Sequence, residues 1–321
     1  MRNLIESLFF PAFGDAEHVG PPHDSTVVPT EAGRLAFTTD SYVVQPLFFP
    51  GGDIGKLAIC GTVNDLAMAG AKPEYLSAGF ILEEGLPLET LQRIVRSMAE
   101  TARAAGVAII TGDTKVVDRG KADGIFINTA GIGHVPADVD ISPTRVKPGD
   151  AILLSGDLGR HGVAIMSVRE GLAFSGVPAS DCAPLAGLVE AMLATSHDIH
   201  CLRDLTRGGL AAALNEIAMD VNVGIEIEET AVPVVESVAS ACEMLGLDPL
   251  YVANEGRLVA FVPPEAADCI FAAMQNHPAA VGPVRIGTVT DSHRGVVELR
   301  GRFGGGRILD LLSGEQMPRI C

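Results

Sequence analysis

The sequence predicts an α/β protein of two domains with a short tail. Three observations carry that prediction. Short apolar runs that read as strands alternate with longer stretches of helical periodicity, an order that builds α/β or α+β layers rather than a bundle or a sandwich. The chain has 321 residues, against about 100–200 for an ordinary domain. A polar, proline-bearing segment, Pro136 to Asp150, has the composition of a connection between domains. The boundary is placed accordingly: an N-terminal domain over 1–141, a C-terminal α/β domain over 142–312, and a tail over 313–321 whose last residues, GEQMPRIC, lack periodicity and read as mobile.

The elements follow in order. Arg34 to Val44 reads as a strand with β-branched and aromatic residues, interrupted by Asp40. The turn PGGDIGK then leads into LAICGTVNDLAMAGA, a helix of small residues that carries Asp65 and is stopped by Pro73. Tyr75 to Leu82 resembles a buried strand. Pro87 opens a helix whose apolar residues Leu88, Leu91, Ile94, Val95, Met98, Ala99 and Ala102 share one face. Val107 to Ile110 is a short strand expected to break at TGDTK, and Ile125 to Val135 is another strand. The second half opens with AILLSGDLGRHG, where LLSGDL faintly echoes IITGDT; strand followed by glycine turn is too common for that to establish a duplication. Helices are expected at Pro184–Thr195, Gly208–Met219, after Pro233 and at Pro264–Asn276, with strands at GIEIEE and Tyr251–Val262.

Charge and composition narrow the function. Lys and Arg total 23 against 40 Asp and Glu, a formal net charge of −17, and such a surface repels phosphate backbones and anionic lipids. No nucleic-acid partner is expected on that ground. No apolar run approaches the ~20 residues that cross a bilayer, and Glu6 falls where a signal peptide would be apolar. A cytoplasmic protein with no membrane partner is expected. The six cysteines form neither a CxxC pair nor a cluster with histidine, which argues against a zinc site or a disulfide framework.

An acidic protein still binds polyphosphates when divalent metal ions sit between carboxylate and phosphate. Five aspartates lie beside small residues or turns: Asp24 in HDSTVV, Asp40 in TTDSYVV, Asp65 in TVNDLAMAGA, Asp113 in TGDTKVV and Asp204 in LRDLTRGG. Taken singly, each also suits a cap or turn former. Asp65 is harder to dismiss, because a helix of Ala, Leu, Met and Gly would bury it and a buried carboxylate needs a partner. Neither a GxxxxGK[ST] loop nor a GxGxxG after a strand is present, so phosphates would be held through metal and isolated bases. Lys56 and Lys115 are the candidates, with a snorkelling surface lysine as the plain alternative for each. Cys321, the last residue, places a thiol on an arm stiffened by Pro318, with Arg319 beside it to offset negative charge. Such a thiol suits a carrier that receives a group at one site and presents it at another.

These residues carry a family resemblance. The runs TTDSYVVQPLFFPGGDIGKLAICGTVNDLAMAGA, GFILEEGLPLETL, TGDTKVV, RDLTRGG, ANEGRLV and the ending PRIC resemble the hydrogenase maturation factors of the HypE family, carbamoyl dehydratases, over nearly the whole chain. The aspartate motifs are shared with a superfamily of aminoimidazole ribonucleotide synthetase, thiamine-monophosphate kinase and selenophosphate synthetase, whereas PRIC is specific to HypE. The resemblance implies a two-domain aminoimidazole ribonucleotide synthetase-like fold, a homodimer formed through the N-terminal domain, and ATP with Mg²⁺ near the dimer interface. It implies that a carbamoyltransferase, HypF, loads a carbamoyl group onto Cys321. ATP-dependent dehydration to a thiocyanate follows, and cyanide passes to iron on a HypC–HypD scaffold for a [NiFe] hydrogenase.

By the same resemblance Asp24, Asp40, Asp65, Asp113 and Asp204 are the metal and phosphate set, Lys56 and Asn64 are further nucleotide contacts, and Glu255 and Lys115 are the bases that strip the carboxamide. Glu255 also admits a plain reading as a strand carboxylate paired to Arg257. Family members carry a glycine-rich stretch resembling HGAGG ahead of the segment that matches Asn3 to Phe13, and this sequence starts at Met1 without it; weaker closure over phosphates is the expectation. Two other functions compete. One is a small-molecule kinase or synthetase of the selenophosphate or thiamine-phosphate type, although no cysteine precedes Cys60 here. The other is a noncatalytic thiol carrier.

Overall fold

A computed structural model describes residues 23–30, 33–171, 178–302, 304–311, 317 and 319–321. The segment Asn3 to Phe13 and Pro318 lie outside the described residues. The first half is built on a five-stranded sheet. Its strands are β1 (Thr26–Thr30), β2 (Gly33–Tyr42), β5 (Lys72–Glu83), β6 (Ala108–Val117) and β7 (Ile125–Val135), in the order β1-β2-β7-β5-β6 with only β5 and β6 parallel. Between β2 and β5 come the small hairpin β3 (Phe48–Phe49) and β4 (Gly52–Asp53), and then α1 (Ile54–Met68). Helix α2 (Leu88–Ala104) buries Ile94, Met98 and Ala102, the centre of its expected apolar face.

Alternation along β2 sets its two faces. Ala36, Thr38 and Tyr42 turn inward and are buried, while Phe37 on the open face is half exposed. Helix α1 lies on the inner face and is covered by β2, β7 and α2 on one side and by elements of the second half on the other. Every residue of α1 except Lys56 and Asp65 is accordingly buried, which explains why its sequence is apolar all round. Asp53 caps it, accepting from the Gly55 and Lys56 N–H groups at 2.8 and 3.2 Å.

The expected break at TGDTK does not occur, and β6 runs through it to Val117. Parallel pairing with β5 carries the strand across, with Gly79 opposite Asp113 and Ile81 opposite Lys115. Gly112 permits this, because a Cβ there would stand 2.2 Å from the Ala78 carbonyl oxygen.

The second half carries a seven-stranded sheet in the order β14-β13-β10-β12-β8-β11-β9. These strands are β8 (Ala151–Leu154), β9 (Cys201–Asp204), β10 (Gly224–Glu228), β11 (Leu258–Val262), β12 (Val284–Thr290), β13 (Val297–Arg300) and β14 (Gly306–Ile308). Helices α3 (Arg160–Arg169), α4 (Ala186–Thr195), α5 (Gly209–Asp220), α6 (Glu236–Leu245) and α7 (Pro264–Gln275) accompany it. The sequence pattern does not announce α3, β9 or β12 to β14. It also makes the strand at 251–262 too long, since Pro249–Tyr251 forms a 3₁₀ turn capped by Asp248 and the regular strand starts at Leu258. Residues 254–256 pair instead with loops: the Asn254 N–H donates to Leu205 O, and the Glu255 and Gly256 N–H groups donate to the Asp181 carboxylate. Among the described residues no helix is long and apolar enough to cross a membrane.

One apolar core joins Tyr42, Ile54, Leu57 and Ile94 of the first half to Val163, Val238 and Val252 of the second, and it includes Met317 and Ile320. The expectation of a mobile tail therefore meets docked residues at 317 and 319–321. The Val43 N–H donates to Cys321 O at 3.0 Å and the Gln45 N–H to Arg319 O at 3.3 Å, extending the line of β2, while Ile320 is buried.

Candidate active site

Four of the five sequence-selected aspartates meet where the two halves face each other. Asp40 comes from β2, Asp65 from α1, Asp204 from the end of β9, and Asp24 from just before β1. The hydroxyl of Thr38 ties two of them together, donating to Asp65 Oδ2 at 2.9 Å and contacting the Asp24 carbonyl at 3.1 Å. Arg203 pairs with Asp24 (2.8 Å) and with Glu216 (2.9 Å). After Asp204 the chain turns through Gly208 and Gly209, both left-handed (φ +77° and +60°), into α5. That turn fixes the RDLTRGG motif at the cluster, with Thr206 3.4 Å from Asp204.

The cluster is electrostatically strained. Burial, reinforced by Asp204, Asp24 and Asp40, pushes the Asp65 carboxyl well above its ordinary range. Burial and then Asp24 do the same to Asp204, against the pull of Arg203. Asp40 rises by burial, moderated by the Ser41 N–H and by Arg207. Glu255 joins them from the irregular segment before β11. It is pushed well up by burial, then by Asp204, Asp181 and Asp40. Its plain alternative partner is engaged elsewhere: Arg257 binds Asp157 through Nη2–Oδ1 at 2.6 Å. Asp24 Oδ2, Asp204 Oδ2 and Glu255 Oε1 are buried oxygens without a hydrogen-bond partner. Such groups are costly unless a cation or donor completes them.

Cys321 reaches this cluster. Its thiol hydrogen-bonds the Arg207 side chain, and its pKa is raised from 9.0 to about 12 by burial and then by Glu255, with Asp40 adding to the effect and Arg207 opposing it. Arg207 was not singled out from the sequence, although it lies inside the quoted RDLTRGG run. Arg319, expected beside the thiol, instead faces Asp123 at 3.2 Å.

The remaining candidates lie apart. Asp113 and Lys115 form an exposed pair at 3.0 Å on β6, and the Lys115 ammonium holds the Asp113 carboxyl below its ordinary value. Sheet register sets Asp113 in one row with Gly79, Asn128 and Ser41, hence on the open face opposite Asp40 and, at three strand spacings, about 14 Å from β2. They line a cavity of about 340 Å³ with Ser41, Val43, Phe80 and Asn128. Lys56 Nζ donates to Gly51 O at 2.9 Å within its own turn. Asn64 is buried, with its amide donating to Ala183 O and Glu255 O and its Oδ1 accepting from the Leu185 N–H at 2.7 Å. It ties α1 to the loop that bears Glu255.

Comparison with known proteins places this geometry. Residues 22–135 match the family description "AIR synthase related protein, N-terminal domain" and residues 147–300 its C-terminal counterpart. The carbamoyl dehydratase HypE of Azotobacter vinelandii is 55% identical, covering 100% of this chain and 94% of that protein. That of Escherichia coli K12 is 51% identical, covering 100% and 96%. The chain belongs to the HypE family of carbamoyl dehydratases. Among solved HypE structures, one in a HypE–HypF complex superposes with a TM-score of 0.91 at 48% identity, covering 96% of this chain and 99% of that one. A HypE bound to ATP gives 0.87 at 50%, covering 100% and 96%. A thiamine monophosphate kinase from Aquifex aeolicus, at 18% identity and a TM-score of 0.68, shares the fold.

In this HypE-family site no three His, Cys, Asp or Glu side chains among the described residues converge into a cage for a metal. The orphaned carboxylate oxygens nonetheless suit Mg²⁺, which takes one or two protein carboxylates and completes its shell with water and phosphate oxygens. Besides Arg207, Thr38 and Tyr42 in the cluster carried no sequence signal of their own. Thr38 was not singled out from TTDSYVV. Tyr42, whose hydroxyl lies 3.2 Å from Thr62 in a buried chain leading to Thr129, was read only as strand.

Proposed function

We propose that this protein dehydrates a carbamoyl group carried on Cys321 to a thiocyanate, using ATP as substrate, and donates the cyanide to a [NiFe] hydrogenase iron centre. One observation carries the reading: the thiol of the last residue sits among Arg207, Glu255 and Asp40 inside the carboxylate cluster. The net reaction converts R–S–C(O)NH₂ and ATP into R–S–C≡N, ADP, phosphate and a proton. The amide oxygen leaves as phosphate after taking the γ-phosphoryl group, and the nitrogen gives up two protons. Glu255 suits the base, because its Oε1 is buried without a partner beside the thiol and burial raises its affinity for a proton. Arg207 holds the sulfur and fixes the arm. One or two carboxylates from the set Asp24, Asp40, Asp65 and Asp204 would hold each Mg²⁺, which when bound neutralises charge on the phosphates.

Asp113 and Lys115 complete the set through a second copy. Edge strand β6 exposes Ile110 and Val116 on the sheet that also exposes Phe37, and an apolar edge of that kind calls for a partner. We infer a homodimer through this sheet, with ATP near the interface and Lys115 brought to the reaction across it. Lys56 and Asn64 then support the site rather than the dehydration step. The two family matches support a domain boundary near 141/142, with 313–321 as the carrier arm. A solved HypE–HypF complex of a relative supports HypF as the loading partner; HypC–HypD as the acceptor is part of the proposal, and six free cysteines suit the cytoplasm.

Intact-mass measurement after incubation with the transferase, carbamoyl phosphate and ATP tests the reading. The expected result is a gain of one carbamoyl unit, then loss of one water only when ATP is present. A mass unchanged by an active transferase would refute it, and loading without ATP-dependent water loss would leave a noncatalytic carrier.

A further inference from the structure

The docked end of the chain is held at several points, and one of them is a buried side chain that the reaction does not consume. Backbone pairing at Val43 and Gln45, and Arg169 on the carbonyls of Gln45 (2.7 Å) and Arg319 (2.7 Å), hold one side of the arm. His161 of α3 holds the other. Its Nε2 lies 2.7 Å from Ile320 O and its Nδ1 2.8 Å from Ser180 Oγ. A carbonyl can only accept, so Nε2 carries the proton and Nδ1 accepts from the Ser180 hydroxyl. That hydroxyl accepts in turn from the Cys182 N–H at 3.1 Å, and Ser180 is anchored through its own N–H to Pro50 O at 2.7 Å. Phe49 walls the ring edge-on at 5.4 Å. Burial holds the imidazole below its ordinary pKa and hence neutral at pH 7.

The neighbouring residue belongs to the same seat. A Cβ on Gly162 would stand 2.4 Å from Val252 Cγ1 and 3.1 Å from the Met317 sulfur. Met317 therefore packs directly over bare backbone, and the His161–Gly162 pair forms the floor under the arm. The Ile320 carbonyl that His161 grips is one peptide from Cys321, so the grip fixes where the sulfur can stand. Reacting groups tolerate little displacement: a 1 Å error costs on the order of 10²-fold in rate.

We propose that His161, oriented by Ser180, is a positioning residue that seats the carrier arm in the dehydration pose. The proposal rests on the reading of Cys321 as the carrier thiol, and its test separates the two. Alkylation of Cys321 by iodoacetamide at pH 8, followed by peptide mapping, reports arm release without any partner protein or ATP. His161→Ala is expected to raise that rate about tenfold, the ratio one ordinary hydrogen bond supports. His161→Gln, which keeps a donor toward Ile320 O, should stay within about threefold of the parent. In the loaded protein, His161→Ala should slow dehydration about tenfold with the KM for ATP unchanged and loading by the transferase undiminished. Equal alkylation rates in the parent and a folded His161→Ala protein overturn the proposal. Should that variant fail to fold, Ser180→Ala decides: a rise of about threefold supports the seat, and an unchanged rate overturns it. A parent protein that never accepts a carbamoyl group refutes the carrier reading, while the alkylation rates still judge the seat.

Discussion

Raising the pH should release the arm, and the size of the effect follows from the thiol. Docked, the Cys321 thiol has its pKa raised from 9.0 to about 12, first by burial and then by Glu255. A group whose pKa is higher in the bound pose stabilises that pose fully below its free pKa, and loses the contribution as pH rises toward the bound value. The window therefore opens near pH 9 and closes near pH 12. Within it the docking equilibrium falls about twofold by pH 9 and about tenfold by pH 10. Trypsin cleavage of the Arg319–Ile320 bond reads the open population when opening and closing outpace cutting. Cys321→Ser removes the titrating group, so the ratio of parent to variant cleavage at each pH cancels the protease's own profile and the titration of Asp40 and Glu255. That ratio should rise about tenfold between pH 7.5 and 10. A flat ratio would show that the thiol does not titrate against its docking site, and the placement of Cys321 among Glu255 and Asp40 would be wrong.

Three further outcomes are expected. Glu255→Gln should leave loading by the transferase intact while slowing ATP-dependent water loss about 10²–10⁴-fold, measured by intact mass against time; equal rates would remove Glu255 as the base. Asn64→Ala breaks bonds to Ala183, Glu255 and Leu185 and strands buried backbone groups, so urea unfolding should show a loss of about 2–3 kcal/mol; a change under 1 kcal/mol would show those groups find other partners. Val116→Asp places a charge on the exposed apolar edge of β6 and should convert a dimer into monomer in sedimentation, with the monomer's melting temperature unchanged. A dimer that survives the substitution would move the interface elsewhere.

Much of the fold was legible because its signals are local. The helix α1 follows from its run of small residues between a glycine turn and Pro73, the apolar face of α2 from its spacing, and strand β7 from its short run between turns. What failed depended on distant partners. TGDTK reads as a turn, yet β6 continues through it because β5 supplies a parallel ladder and Gly112 lets the strands approach. The stretch before Leu258 reads as strand, yet it leaves the sheet because Asp181 and Leu205 take its hydrogen bonds. The aspartates could be selected from the sequence by their setting among small residues, but spacing could not show that Asp113 stands on the opposite face of the sheet from Asp40. Arg207 and His161 carried no such setting. They matter here because the arm, far away in sequence, docks against them.

If Cys321 is the carrier thiol, as proposed, the same contacts imply two poses for the arm. A thiol held at a pKa of about 12 presents a thiolate fraction about a thousandfold smaller at neutral pH than one titrating at 9, so the docked pose is a poor one for accepting a carbamoyl group. Loading is therefore expected from the released arm. Once the sulfur carries the group it has no proton to lose, and the contribution that weakens docking at high pH vanishes. On the proposed carrier reading the loaded arm keeps His161, Arg169, backbone pairing and the buried Met317 and Ile320, none of which depends on the sulfur's ionisation, and it presents the carboxamide to Glu255. On the proposed carrier reading, docking is therefore sensitive to the thiol's ionisation above about pH 9 before loading and indifferent to it afterwards.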